Sequence, residues 1–296
     1  MAQAGAGTAV VAPGGAAIPP GASATEDGVR EWEAAQRRHR NRIALSRLAL
    51  AVVLIGLWEF GTGRWWDAFW FSSPSRIAAH LWEWSQDDLF FQLSVTLRET
   101  FVGYFAGTLA GVALGAVLAR LDFLCRVLDP FILALNGIPR IALAPLFIIW
   151  FGIGELSKMV LASMLAFFLC FYATLSGLRS VDAAHVNVAR IMGATERQIF
   201  TKVTLPAAFP WILTAMKVSV PFALIGAIVG EFMAATAGLG YKIQLYTAQF
   251  DTTGAVSGIF VLMLVVIAFN FVLDRIERHL LRWRPPRQQG AGGEMT

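Results

Sequence analysis

The chain has 296 residues, 56% of them hydrophobic and 15% charged, against roughly 25% charged in an ordinary soluble domain. The apolar excess is gathered into runs approaching the 20 or so residues that a helix needs to cross a hydrocarbon core, which excludes a freely soluble globule and makes the lipid bilayer the first partner. The net charge of +4 does not call for nucleic acid, because Lys and Arg also collect on the cytoplasmic side of membrane proteins.

Residues 1–36 precede the apolar part. Up to about Asp27 they are rich in Ala, Gly and Pro and too poor in large apolar side chains to form a core, so they read as a disordered cytoplasmic leader. No cleavable signal peptide is visible: the basic-then-apolar pattern begins only near Arg37, and the first span is expected to remain as an anchor.

Six spans are predicted within a transmembrane domain over residues 37–285: Ile43 to Thr62, Phe101 to Ala119, Pro130 to Phe151, Met159 to Leu178, Trp211 to Gly230, and Gly258 to Leu273; residues 286–296 form a tail. Arg37, Arg38, Arg40, Arg42 and Arg47 precede the first span, and Arg275, Arg278, Arg282, Arg284 and Arg287 follow the last. The positive-inside rule therefore places both termini in the cytoplasm.

After the first span, Trp65, Trp66, Phe69, Trp70 and Phe71 suit the headgroup level. Ser73 and Pro74 then offer an N-cap and first helical residue for a short helix with Ile77, Leu81 and Trp84 on one face, expected to lie along the outer surface. The second span carries Gly103, Gly107, Gly111 and Gly115 on one face, a ridge without side-chain bulk where another helix must pack closely.

In the third span Asp129 and Pro130 read as an N-cap and first-turn pair, while Gly137, Pro139 and Pro145 interrupt the run around Asn136 and Arg140. Broken backbone at membrane depth is tolerated where protein buries it or a water-filled cavity receives its polar groups, which makes Asn136, Pro139 and Arg140 candidates for a pathway wall. A kinked packing helix whose Arg140 snorkels to the cytoplasmic interface fits the same residues. The fifth span holds Lys217 and Pro221 and ends at Glu231. Lys217 and Glu231 are further pathway candidates, since ionisable groups in lipid face the bundle interior or water, with snorkelling to the two interfaces as the alternative. Cys125 and Cys170 have no ligand spacing around them and read as packing residues.

The connection from Arg179 to Pro210 carries apolar residues at helical spacing. Asp182 suits the cap of a first helix with Val186, Ala189 and Met192 on one face, Gly193 its C-terminus, and Thr195 with Gln198 a capping box for a second. Ile199, Phe200 and Val203 form an apolar patch edged by Arg190, Arg197 and Lys202, and Thr204, Leu205 and Pro206 are expected to end the helix and restart the chain toward the membrane. Such an apolar face is a docking element for a cytoplasmic partner, unless it packs beneath the protein's own spans.

The loop resembles that of binding-protein-dependent ABC transporter permeases, whose signature is Glu-Ala-Ala, three residues, Gly, nine residues, Ile, one residue, Leu-Pro. Ala189, Gly193, Val203, Leu205 and Pro206 fall in register with it, while Asn187 and Val188 replace the Glu and the first Ala. Over Ser73 to Ile276, the motifs Ser73-Pro74-Ser75-Arg76, Gly137-Ile138-Pro139-Arg140 with Ala144-Pro145-Leu146, and Gly238-Leu239-Gly240 look like those of the nitrate, sulfonate and taurine branch. The resemblance implies an all-α type I importer fold in the bacterial cytoplasmic membrane, with a coupling helix over Ala189 to Pro206 that includes Arg197 and Phe200. It also implies two ATPase subunits, a second permease copy and an extracytoplasmic solute-binding protein as partners.

The chain contains no Gly-x-x-x-x-Gly-Lys-Ser/Thr loop, so ATP and Mg are expected on the partner ATPase and no cofactor on this chain. No nucleophile, metal cluster or paired carboxylates are arranged for chemistry, and His39, His80, His185 and His279 are scattered. An ion-driven secondary transporter is the competing class; it would need intramembrane carboxylates and two matching halves, and neither stands out.

Overall fold

The computed structural model describes residues 26–67 and 69–280. The leader before residue 26 and the end from residue 281, with Arg282, Arg284 and Arg287, lie outside the described residues. The described chain divides into two compact units at Pro74/Ser75.

The first unit is α1 (Glu26–Gly61) and the turn after it. Residues 26–36, assigned by composition to the leader, are the first turns of this helix. From Leu45 onward α1 exposes an apolar surface, including Leu48, Leu50, Val52 and Leu54. After Gly61, Trp65 meets Trp66 edge-on with ring centres 6.3 Å apart, and Trp70 meets Phe69 at 5.0 Å.

The second unit starts within α2 (Pro74–Gln86), where the proline occupies the first helical position and Ile77 and Trp84 are buried. Its centre is made by α3 (Leu89–Arg120), α6 (Glu155–Arg179) and α9 (Leu205–Ala234). Helix α3 begins well before Phe101, where hydropathy starts the span. Its four glycines face α6 in a matching four-residue register. A Cβ would lie 2.7 Å from the Met159 carbonyl oxygen at Gly103, 2.5 Å from that of Phe167 at Gly111 and 2.9 Å from that of Phe171 at Gly115, and would overlap the Ser163 carbonyl at Gly107. The two backbones thus approach along the whole ridge. Ala162, Ala166, Ala223 and Ala227 bring α6 and α9 together around the buried Tyr104. Cys125 and Cys170 are free and buried.

The third predicted span is not one helix. Helix α4 (Asp122–Asn136) and the segment Arg140–Phe151, a 3₁₀ turn leading into α5 (Ala144–Phe151), meet at 80°. Leu121, not Asp129, is the N-cap of α4, and Pro130 lies inside that helix. The break falls at Gly137 to Pro139, whereas Pro145 sits in the first turn of α5, where its missing N–H breaks no helical bond. Five described helices are long and apolar enough to cross a membrane, or six with the bent pair as one span. The last is α11 (Thr252–Leu280), preceded by the short α10 (Leu239–Ala248).

Candidate functional site

One end of the second unit carries the loop between α6 and α9. The Asp182 carboxylate accepts the Ala184 N–H at 2.8 Å and starts α7 (Ala183–Ile191). Gly193 stops it at φ +82°, a left-handed conformation that costs a residue with a Cβ about 1–2 kcal/mol. Thr195 and Gln198 close a reciprocal capping box at the start of α8 (Glu196–Ile199), and Arg190 bridges the two helices to Glu196 at 2.8 Å. The chain then makes a π turn over Phe200–Thr204, in which the Leu205 N–H reaches back to the Phe200 carbonyl, and enters α9 without interruption. Thr204, Leu205 and Pro206 therefore do not end a helix, as expected above, but widen it by one residue.

The apolar patch at Ile199, Phe200 and Val203 is turned inward. Ile199 is 3% exposed, and the Arg120 guanidinium at the end of α3 stacks 3.4 Å from the centre of the Phe200 ring. The face left open belongs to α7: Val188, Ile191 and Met192 are 57%, 86% and 82% exposed. Ala189 is half-buried beneath them, and Arg197 and Pro206 are exposed. A cleft of about 630 Å³ is lined by the end of α3, by α7 and by the stretch from α8 into the π turn, through Arg120, Val186, Arg197 and Phe200 among others.

Arg140 lies at the break between α4 and α5, beside the middle of α6. It donates to both the backbone and side-chain oxygens of Asn136, and its guanidinium stands 4.4 Å from the centre of the Phe168 ring. Phe168 is thirteen residues from Glu155 and eleven from Arg179 within α6, so Arg140 lies beside the middle of that helix. Gly137, Ile138 and Pro139 are exposed at the break. Among the described residues no carboxylate lies within ion-pair distance of Arg140. Lys217 differs: it pairs with both Asp274 and Glu277 of α11, the latter at 2.6 Å. Lys217 is therefore not an unpaired cation, and the three side chains stay 28%, 49% and 27% exposed.

At the end opposite the loop, Glu231 is fully buried, against the expectation that it snorkels or faces a pathway. It accepts from Thr96 Oγ1 at 2.7 Å and from the Gly240 N–H at 2.5 Å. Gln92 and Thr96 receive the N–H groups of Gly238 and Leu239 at 2.7 and 2.8 Å. Gly238, at φ +117°, and Gly240 lie where a Cβ would collide with the Glu231 carboxylate, which accounts physically for the Gly-Leu-Gly sequence.

Sequence reasoning missed Glu99 and Lys158, which form a buried ion pair at 2.8 Å beside Glu231. Hydropathy draws both spans too short, leaving Glu99 before one and Lys158 outside the other. A usable signal was present: Glu99 continues the face of Gly103 and Gly107 one turn back at four-residue spacing. Buried carboxylates within the helices of the spans therefore do exist here, in a closed polar cluster.

Residues 107–284 match the family described as the binding-protein-dependent transport system inner membrane component. The chain belongs to this family. Similar permeases include the formylaminopyrimidine transport permease protein ThiX of Halalkalibacterium halodurans, 32% identical over 83% of this chain and 98% of the relative. SsuC of Bacillus subtilis, named for aliphatic sulfonates transport, is 35% identical over 67% of this chain and 71% of its own length. TauC of Escherichia coli, named for taurine transport, is 28% identical over 82% and 90%. Among solved structures, a chain of the MetNI methionine ABC transporter in an inward-facing conformation aligns with a TM-score of 0.56 and 25% identity, covering 64% of this chain and 95% of that one. The permease thus has the all-α fold of type I ABC importers, and it is the multi-pass inner-membrane subunit through which such an importer passes a small solute.

Proposed function

We propose that this permease carries small organic anions of the sulfonate class and that Arg140 is its contact with them. The observation that carries the reading is a guanidinium on exposed broken backbone that forms no ion pair among the described residues. A cation with no ion-pair partner in an apolar setting favours water or an anion beside it. Relatives named for sulfonates and taurine support the same class. The other basic candidate, Lys217, already has two carboxylates.

Two copies of the chain would enclose the pathway, with an external binding protein delivering the solute. Two ATPase subunits, holding ATP and Mg, would dock on the face made by Val188, Ile191 and Met192. Both termini and the 180–205 loop would then lie in the cytoplasm. Because α8, the π turn and α9 are continuous, movement of the loop would be transmitted directly along α9.

The test is reconstitution of the permease with its ATPase and binding protein in proteoliposomes, with ATP hydrolysis followed as taurine, ethanesulfonate or a formylaminopyrimidine is added. Sulfonates should stimulate hydrolysis and uptake in the wild type, Arg140→Gln should abolish both responses, and Arg140→Lys should keep part of them. Stimulation by the uncharged pyrimidine alone, unchanged in Arg140→Gln, overturns the anion reading. Met192→Asp should separate the ATPase from the permease on size exclusion while leaving the permease folded.

A further inference from the structure

The cluster at the end opposite the loop holds two carboxyl groups and one ammonium, all removed from solvent. Glu99 and Glu231 are 0% exposed and Lys158 5%. Glu99 comes from α3, Lys158 from α6 and Glu231 from α9, so three helices meet at this point. Lys158 Nζ donates to Glu99 Oε1 at 2.8 Å. Both oxygens of Glu231 already have donors, Thr96 Oγ1 and the Gly240 N–H.

That leaves Glu99 Oε2, which is buried without any donor. Thr96, one helical turn before Glu99 on α3, holds Glu231, and the Lys158 side chain lies against Gly230, the residue before it, so the two carboxyl groups share one buried site. Two ionised carboxylates are acceptors only and cannot bond to each other. With both ionised, the cluster would also keep a net negative charge in the interior. A single proton removes both difficulties. We propose that the permease binds one proton between Glu99 and Glu231, carried on Glu99 Oε2 and donated to the Glu231 carboxylate, so that Lys158, Glu99 and Glu231 together are electrically neutral. The charges facing the site are Lys158 from α6 and the two glutamates from α3 and α9; the Arg98–Glu155 pair nearby is solvent-exposed.

The bound proton has a structural consequence. Glu231 is the residue against which Gly238 and Gly240 close, so a neutral, fully bonded Glu99–Glu231 pair fixes the turn before α10 onto α3 and α9. This end of the bundle is thereby held shut by charge neutrality, independently of the loop and of Arg140.

The experiment is infrared spectroscopy of the full-length permease, purified with its ATPase at neutral pH and compared in H₂O and D₂O. The wild type should show the carbonyl stretch of a protonated carboxylic acid, slow to exchange. The band should vanish in Glu99→Gln, where the glutamine carbonyl accepts from Lys158 and its amide donates to Glu231. It should vanish equally in Glu231→Gln, where Glu99 becomes the sole counter-ion of Lys158. Each single variant leaves a neutral cluster and should fold. The double variant leaves Lys158 alone and should lose folded protein, with recovery on adding Lys158→Met. Absence of the band from the wild type overturns the proposal without reference to any variant, as does a band that persists in both single variants.

Discussion

Lys217 on α9 and Glu277 on α11 form an ion pair of 2.6 Å, with Asp274 closing on the same ammonium from one helical turn away. One cation thus holds two carboxylates that would otherwise repel across i and i+3. Lys217→Met should lower the melting midpoint of the purified permease, and adding Asp274→Asn and Glu277→Gln should recover most of the loss. Because the Lys217 ammonium is already engaged by carboxylates of its own chain, the choice between anionic and neutral solutes should not change in the triple variant; solute-stimulated ATP hydrolysis measures this directly.

The glycine ridge makes a sharper stability prediction. At Gly107 a Cβ would overlap the carbonyl of Ser163, a backbone group that cannot rotate away. Gly107→Val should force α3 and α6 apart and greatly reduce the yield of monodisperse permease. Gly56→Ala, where no heavy atom lies within 4 Å of the new Cβ, should be neutral in the same assay.

These residues also show where the sequence speaks and where it stops. The glycine period and the capping signals at Asp182, Thr195 and Gln198 are local, and local spacing is enough to read a helix face or a helix start. The partner of Lys217 is 57 or 60 residues away on another span, and that of Glu99 is 59 residues away, so nothing in the neighbourhood of either residue announces the pair. Hydropathy also trims a span at its first charged residue. It therefore placed Glu99 and Lys158 outside the bilayer and hid the cluster around Glu231. The direction of the Ile199 and Phe200 patch was illegible for a related reason: periodicity gives a face, but Arg120 at the end of α3 decides what that face meets.

Outside the spans, Lys242 of α10 stands 2.7 Å from Asp88, which also accepts from Trp84 and Gln92 at 2.7 Å each. Burial acts to raise the Asp88 carboxyl, but the bonds from Lys242, Gln92 and Trp84 outweigh it and hold the group below its ordinary 3.8. Burial likewise opposes the charge on Lys242, yet Asp88 raises it above 10.5. A lowered acid contributes fully above its unfolded value and is lost as pH falls through its folded value; a raised base contributes fully below its unfolded value and is lost as pH rises through its folded value. The Asp88–Lys242 pair should therefore be complete between pH 3.8 and 10.5. Asp88→Asn should cost about 1.5–3 kcal/mol at neutral pH, with the difference from wild type shrinking in acid below that window. Paired thermal melts across pH measure the difference.

Gly193 separates strain from contact in the loop. Its φ is +82°, yet a Cβ there would find nothing within 4 Å, so any effect of substitution comes from the backbone alone. Gly193→Ala should cost about 1–2 kcal/mol locally, loosening the turn that sets α7 against α8 without touching the apolar face at Val188, Ile191 and Met192. The bundle, held by the α3–α6 ridge, should melt as in the wild type. ATP hydrolysis in the reconstituted transporter should respond more weakly to solute. Gly193→Asn, which tolerates the left-handed region better, should restore part of that response. A response equal to wild type in Gly193→Ala would show that docking depends on the exposed side chains of α7 and not on the angle at which the turn presents them.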